Sequence, residues 1–193
     1  MGFHSVADIS DFLFDEHGRR KYLSSAERKR FLLAAEEAEL AIQAFCMTMA
    51  YTGCRISEAL ALTFANLDIE TGRIVIRTLK RRKRVYRAIP IPPALVAVLT
   101  ELAAKRRVGK RLWPWCRQTG WRKITAVMAH ARIAGPHASP KGLRHGFGIA
   151  AAAANIPPGL IQRWMGHARL ETTVLYQHVV GLEERAFAER LWP

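Results

Sequence analysis

The apolar positions in the first third of the chain recur at helical spacing. The segment S-S-A-E at 24–27 has the form of a capping box, in which a serine caps the third residue and a glutamate reaches back, so a helix is predicted over 25–38. A second, largely apolar helix is predicted over 40–52, ending at Gly53 because glycine is favoured just beyond a helix C-terminus. A short third helix is predicted over 57–64.

The pattern then changes to that of strands. Two runs rich in β-forming residues, 74–76 and 85–91, flank five consecutive basic residues, 80–84, so an antiparallel hairpin with a basic tip is predicted. Pro93 can open the helix that follows. The remaining predicted helices cover 93–107, 120–133, 141–154, 158–165, 170–178 and 182–191, with a loop over 108–120. The pattern predicts a mainly α fold with one small antiparallel sheet, in a single domain.

The composition fits a globular chain. One domain is the default at 193 residues, and a hydrophobic fraction of 50% is too high for a disordered chain. No apolar run reaches the roughly 20 residues of a membrane span, and the N-terminus lacks the layout of a signal peptide. Three widely spaced cysteines exclude a disulfide framework and a paired-cysteine metal site. We therefore expect a soluble, cytoplasmic protein with no cofactor, no membrane partner and no small-molecule ligand.

The charge of the chain indicates a polyanionic partner. The 30 Lys and Arg residues outnumber the 16 Asp and Glu residues, which gives a formal charge of +14. A field of this sign favours nucleic acid. A solvated basic surface and a ribosome-associated protein are the plainer alternatives, and charge alone says nothing about catalysis.

The acidic residues do not suit metal-assisted chemistry on a phosphodiester. The chain has no H-E-x-x-H, no D-x-D and no tight acidic cluster in its C-terminal half, so a two-metal nuclease is a poor fit. The other route uses cationic side chains to neutralise the developing charge, together with a side-chain nucleophile. The basic residues of this chain suit that second route.

Four segments carry a resemblance to a known family. They are T-G-C-R-I-S-E-A-L at 52–60, Lys80 at the end of the first strand, K-G-L-R-H at 141–145, and M-G-H at 165–167 with T-T-V-L-Y-Q-H at 172–178. Together they resemble the tyrosine recombinase (phage integrase) family, whose motifs are T-G-x-R-x-x-E, a hairpin lysine, H-x-L-R-H, L-G-H and T-T-x-x-Y-x-H. The resemblance covers about residues 24–180, in the family's order and with similar spacing.

The resemblance implies a role for each motif residue. Arg55 and Arg144 would bind the scissile phosphate, because guanidinium groups match its oxygens and keep their charge. Tyr176 would be the nucleophile that forms a 3′-phosphotyrosyl link and frees a 5′-hydroxyl. Lys80 would protonate the leaving oxygen as a general acid, and His167 would donate a hydrogen bond to the phosphate. The implied enzyme is a metal-independent, site-specific DNA recombinase.

One position departs from the family pattern. Lys141 stands where the family usually has histidine, and a lysine ordinarily holds its proton at neutral pH. We predict a phosphate-binding cation that replaces only part of the histidine's role, although burial beside other cations would leave a role as base open. Of the other motif residues, Glu58 is predicted to pair with the arginines, and His145 and His178 to orient their neighbours.

The basic tip has two candidate functions. Lys80 is favoured over Lys83 as the hairpin lysine because it stands at the end of the strand. A solvated tip that follows the phosphate backbone is the alternative for the whole run. The neighbours Arg81, Arg82, Lys83 and Arg84 are predicted to contact DNA.

The resemblance also divides the chain. It implies an N-terminal extension over 1–23, a catalytic domain over 24–181 and a C-terminal helix over 182–193. In the family such a tail docks onto a neighbouring protomer within a tetramer on paired double-stranded DNA sites; packing on its own domain is the alternative. The short fimbrial inversion recombinases share this minimal plan, so the chain is either complete or an excised domain. The implied setting is a mobile element in a prokaryotic nucleoid, and a recombinase-like regulator that binds DNA without cutting it is the second hypothesis.

Overall fold

The first two helices form as their caps predict. The computed structural model describes residues 12–79, 84–105, 110–176 and 189–191. Helix α1 spans Ser25–Glu36 and helix α2 spans Leu40–Thr52. The Oγ of Ser24 accepts the backbone N–H of Glu27 at 3.2 Å, and the Glu27 carboxylate accepts the N–H of Ser24 at 2.9 Å. These two bonds are the predicted capping box.

Gly53 ends α2 as predicted, and both its conformation and its surroundings require glycine. It lies in the left-handed region at φ +58°, and its N–H donates to the carbonyl of Met49 at 3.1 Å. The ring of Phe147 fills the space that a Cβ would need. The turn delivers Arg55 to the N-terminus of the next helix.

The segment after α2 differs from the single helix predicted over 57–64. Helix α3 covers only Ile56–Ala59, and a 3-10 turn at Phe64–Asn66 leads into a short strand, β1, at Leu67–Asp68. Within that turn, Oδ1 of Asn66 accepts the backbone N–H of Thr63 at 2.9 Å. Such local bonds compete with the helical ones, so the helix does not continue.

The predicted hairpin is present and belongs to a three-stranded antiparallel sheet in the order β1-β2-β3. Strand β2 spans Arg73–Thr78 and β3 spans Val85–Pro90, in a register that pairs Ile74 with Ile89 and Thr78 with Val85. The sequence did not predict β1, because a strand of two residues shows no alternation of apolar and polar positions.

The second half of the chain is helical. Its helices are α4 (Pro93–Ala104), α5 (Arg117–His130), α6 (Pro140–Ala153), α7 (Pro158–Met165) and α8 (Glu171–Val174). Helix α5 begins three residues before the predicted 120, because Cys116 caps it and Gly120 lies inside the helix, against Phe45. No helix in these described ranges is long and apolar enough to cross a membrane.

Two predicted C-terminal helices fall partly or largely outside the described residues. Of the helix predicted over 170–178, the structure describes α8 and the turn up to Tyr176. Of the helix predicted over 182–191, it describes only Glu189–Leu191, which form a 3-10 turn.

Helix α6 connects two hydrophobic clusters. The larger one surrounds α2, whose Phe45 and Met49 are buried against residues of α1, α4, α5 and the sheet. The smaller one contains Phe147 and Ala151 of α6, Met165 of α7 and Tyr176. Helix α6, which carries Arg144, is therefore packed against both clusters.

Candidate active site

Most of the predicted catalytic residues meet in one cleft. Five of them line the same cavity of about 670 Å³: Arg55, Lys141, Arg144, His167 and Tyr176. They come from α3, from the first two turns of α6, and from the segments that follow α7 and α8. The predicted Lys80, Arg81, Arg82 and Lys83 lie outside the described residues, and Arg84 is exposed at the start of β3.

Two helix ends hold Arg144. One terminal nitrogen, Nη1, donates to the carbonyl of Gly53 at 2.5 Å, and the other, Nη2, donates to the carbonyl of Met165 at 2.8 Å. These carbonyls belong to the C-terminal ends of α2 and α7, where cations are favoured. Burial, followed by the charge of Arg55, lowers the pKa of Arg144 to about 10, so the group stays charged at neutral pH.

Arg55 sits at the N-terminus of α3 and is paired as predicted with Glu58. Its backbone N–H donates to Oε2 of Glu58 at 2.9 Å, and its Nη1 donates to Oε1 at 3.1 Å. The side chain of Arg55 is 29% exposed at the cleft, whereas that of Glu58 is 1% exposed. Glu58 has a second partner, Arg87 of β3, which the sequence motifs did not indicate.

Tyr176 occupies a slot in the surface of α6. The residue is 1% exposed, and its hydroxyl is hydrogen-bonded with Nδ1 of His145 at 3.1 Å. The edge of Phe12 packs at a ring-centroid distance of 5.2 Å, and a Cβ at Gly148 would lie 2.6 Å from the tyrosine ring. Burial raises the pKa of Tyr176 above its ordinary value, an effect that the charges of Arg144 and Arg55 only partly offset. The phenol is therefore held protonated.

Two buried histidines flank the tyrosine. The ring of His167 stacks on that of Tyr176 at 6.0 Å, and its Nδ1 is hydrogen-bonded with the hydroxyl of Thr173 at 2.9 Å. Burial, with the charge of Lys141, lowers the pKa of His145 to about 4. Burial, with the charge of Arg144, lowers that of His167 to about 3. Both rings are neutral at pH 7. The prediction that His145 orients a neighbour agrees with its contact to Tyr176.

These two pKa values predict a loss of stability in mild acid. The pKa of an unfolded histidine is about 6.5, so between pH 6.5 and 4 the unfolded chain binds protons that the folded chain does not. The free energy of unfolding should therefore fall as the pH is lowered from 7, by about 2 kcal/mol for each histidine at pH 5. Urea unfolding at pH 7 and pH 5 measures the difference.

A matched pair of variants tests whether the buried histidines cause this loss of stability. His145→Asn should remove about half of the change, whereas His130→Gln, at an exposed histidine of α5, should leave it as in the wild type. A free energy of unfolding that stays constant between pH 7 and pH 5 would contradict the buried, neutral state of both rings.

The cleft suits an anion rather than a metal ion. Arg55, Lys141 and Arg144 bring three cationic groups to its lining, together with Arg117. Within the described ranges, no three His, Cys, Asp or Glu side chains are grouped so that they could hold a metal ion. The arrangement can bind a phosphate group next to a phenol.

Comparison with known proteins decides the family. Residues 21–181 match the profile of the phage integrase family, which is most of the chain. The chain belongs to the phage integrase family. The family resemblance predicted from the motifs is thereby confirmed.

Named relatives of this integrase-family chain are tyrosine recombinases. Tyrosine recombinase XerA of Pyrococcus furiosus is 26% identical over 183 residues, which cover 88% of this chain and 61% of that protein. Tyrosine recombinase XerC of Pelotomaculum thermopropionicum is 30% identical over 155 residues, which cover 72% and 50%. The chain thus spans about half to three fifths of the length of these relatives.

Solved structures share the fold. The crystal structure of XerA recombinase superimposes with a TM-score of 0.75 at 25% identity, covering 89% of this chain and 65% of that one. The structure of XerH site-specific recombinase bound to its difH substrate has a TM-score of 0.69 at 22% identity, covering 93% and 61%. The mostly helical domain with a small antiparallel sheet is therefore the tyrosine recombinase catalytic fold.

Proposed function

We propose that this integrase-family chain is the catalytic part of a site-specific DNA recombinase. It cleaves and rejoins DNA strands through a covalent 3′-phosphotyrosyl intermediate. The observation that carries the proposal is that two arginines, Arg55 and Arg144, line the same cleft as the hydroxyl-bearing Tyr176. Pairs of guanidinium groups neutralise a phosphate as charge develops on it, and the tyrosine supplies the attacking oxygen.

The cleavage step balances without a cofactor. The Oη of Tyr176 attacks phosphorus, the bond from phosphorus to the 5′ oxygen breaks, and the tyrosine proton passes to solvent or to a nearby base. The leaving 5′ oxygen takes a proton from the hairpin lysine, a role that the motifs give to Lys80. Attack by the 5′-hydroxyl of another strand reverses the step, so the covalent bond keeps the energy needed for rejoining. Lys141, exposed on the cleft wall, adds a positive charge for the phosphate.

A second feature supports double-stranded DNA as the partner. A groove next to the cleft, here called the arginine groove, is lined by Arg77, Arg111 and Arg117, and it shares Ser57 and Arg117 with the cleft. None of the three arginines pairs with a carboxylate of the described residues. Cations with no counter-ion beside a phosphate site can follow a DNA backbone.

The arginine groove predicts a specific salt dependence. Replacing Arg77, Arg111 and Arg117 by Gln should weaken duplex binding and make the slope of log K against log[salt] shallower by up to about 3, because each lost phosphate contact removes about 0.9. Fluorescence anisotropy of a labelled duplex at several salt concentrations measures the slope.

Three exposed cations that line neither the cleft nor the arginine groove provide the control. The triple Gln variant at Lys29, Arg73 and Lys105 removes the same formal charge and should keep the slope within about 1 of the wild type. Equal slopes for the two triple variants would show that the groove binds no phosphates.

The function itself is tested with nicked suicide duplexes that carry candidate sites from the neighbouring genome. Cleavage of such a duplex releases a short strand, so rejoining is prevented and a covalent protein–DNA adduct accumulates, visible on a denaturing gel. We expect an adduct at one duplex sequence, with the same yield in EDTA, because the attacking oxygen and the cations come from the chain. Sequence-specific binding without an adduct would instead favour a non-catalytic regulator.

The proposal includes assembly on DNA as a tetramer with paired sites. The predicted C-terminal helix over 182–191, which would join the protomers, lies mostly outside the described residues. Truncation after Gly181 should leave single-site cleavage measurable while lowering strand exchange.

A further inference from the structure

Arg87 is almost fully removed from solvent, whereas Arg55 and Arg144 line the cleft. It lies in β3 opposite Ile76 of β2 and is 4% exposed. Burying a guanidinium is costly unless it is paired and hydrogen-bonded. A buried arginine therefore needs partners that compensate for the loss of its hydration.

All three nitrogens of the Arg87 guanidinium have partners, each from a different element. Nη2 donates to Oε2 of Glu58 in α3 at 2.6 Å, and Nη1 donates to the hydroxyl of Thr78 in β2 at 2.8 Å. Nε donates to the carbonyl of Trp164 in α7 at 2.7 Å. The guanidinium is thereby fixed in plane and direction.

Glu58 pairs with two arginines, so the three side chains together carry an excess positive charge. Glu58 is one buried carboxylate, and Arg55 and Arg87 carry two positive charges. Burial alone would raise the pKa of Glu58, but the charge and hydrogen bond of Arg87, with the N–H and charge of Arg55, hold it below its ordinary value. The trio therefore has a net charge of +1, and Arg55 is its only member that lines the cleft.

Removing Arg87 would change what Arg55 can do. Glu58 would then have Arg55 as its single ionic partner, and in a poorly solvated site such a pair is tight and electrically neutral. Arg55 would be drawn toward the carboxylate at the expense of an anion in the cleft. With Arg87 in place, the short 2.6 Å bond takes up the carboxylate charge and the 3.1 Å contact of Arg55 is the weaker one.

Arg87 also contacts the segment that carries His167. The carbonyls of Trp164 and Met165 are consecutive at the end of α7, and they accept from Arg87 and Arg144 respectively. A Cβ at Gly166 would lie 3.1 Å from Cζ of Arg87. The glycine therefore lets the turn after α7 approach the guanidinium closely, where a side chain would press on it.

We propose that Arg87 is a positioning residue of the active site, which neutralises Glu58 so that the charge of Arg55 remains available to the scissile phosphate. The inference rests on the proposed function for the identity of the anion. The charge compensation itself can be measured without DNA, with inorganic sulfate as the probe.

The experiment is a double-mutant cycle at Arg87 and Glu58. Sulfate affinity is measured by NMR titration of the arginine side-chain N–H signals in the wild type, Arg87→Met, Glu58→Gln and the double variant. Arg87→Met should bind sulfate about tenfold more weakly. Adding Glu58→Gln removes the uncompensated carboxylate and should restore the affinity to within about threefold of the wild type. Arg73→Met, five residues along β2 from Thr78, is the matched control and should bind as the wild type does.

A second variant keeps the test decisive if Arg87→Met fails to fold. Arg87→Gln removes the charge but keeps side-chain donors, so its sulfate affinity should fall about tenfold, as expected for Arg87→Met. Arg87→Lys preserves the charge while losing the planar fork, so its sulfate affinity should stay within about threefold of the wild type even though the free energy of unfolding falls. A merely structural role predicts the opposite pattern, in which sulfate affinity is unchanged in every folded variant. That pattern, or a double variant that binds no better than Arg87→Met, would overturn the proposal.

Adduct formation separates this proposal from the proposed function. In single-turnover assays, Arg87→Met should form the adduct about 100-fold more slowly per folded molecule, with DNA affinity changed by less than about threefold. A wild type that binds sulfate but forms no adduct would contradict the proposed function. The double-mutant cycle with sulfate would still test the role of Arg87. An intact adduct rate in Arg87→Met would defeat the positioning role alone.

Discussion

Tyr176→Phe is expected to eliminate the covalent protein–DNA adduct while DNA affinity stays within about twofold of the wild type. The substitution removes one oxygen, and the hydrogen bond lost with it is the one with His145. The phenyl ring can still fill the slot beside Gly148 and Phe12, so the fold should remain. Denaturing gels with the suicide duplex and anisotropy with an intact duplex measure the two quantities.

Tyr86→Phe is the matched control for that variant. Tyr86 is 53% exposed on β3, so the loss of its hydroxyl should change neither adduct yield nor binding. An adduct that persists in Tyr176→Phe would assign the nucleophile to another residue.

Arg144→Lys should lower the single-turnover cleavage rate by about 10³-fold or more, with a change in duplex affinity of less than about tenfold. The guanidinium reaches the carbonyls of Gly53 and Met165 at the same time, and a lysine cannot span both. The ends of α2 and α7 would each lose a donor, and the phosphate would face a single rotatable ammonium. Comparing the cleavage rate at saturating duplex with the Kd separates the two effects.

Arg122→Lys tests whether any arginine substitution slows cleavage. Arg122 is exposed on α5 and does not line the cleft or the arginine groove, so its rate should equal that of the wild type. A wild-type rate in Arg144→Lys would mean that the phosphate binds elsewhere.

The elements that the sequence predicted well are those with local signals. The capping box at Ser24 and the glycine at the end of α2 depend on neighbours in the chain, and both appear in the structure. The short strand β1 and the early end of α3 depend on a turn held by Asn66 and on pairing with β2. Neither leaves a periodic pattern to detect.

The candidate site shows the same division. Arg55, Arg144, His167 and Tyr176 stand in motifs, and the fold brings them to one cleft. The part played by Arg87 comes from contacts 29 and 77 residues away in the chain, which no motif records. One signal was available, because Arg87 and Ile89 share a face of β3 in the two-residue period of a strand, and that face is buried.

The covering of Tyr176 has a consequence for fidelity. A surface with a net charge of +14 attracts any duplex, and a chromosome offers vastly more wrong phosphates than right ones. Tyr176 is 1% exposed and its hydroxyl is hydrogen-bonded with His145, so a passing DNA strand meets a covered nucleophile. Under the proposed function, Tyr176 must therefore be uncovered before a strand can be cleaved. The free energy needed to uncover it would oppose cleavage at phosphates outside the target site.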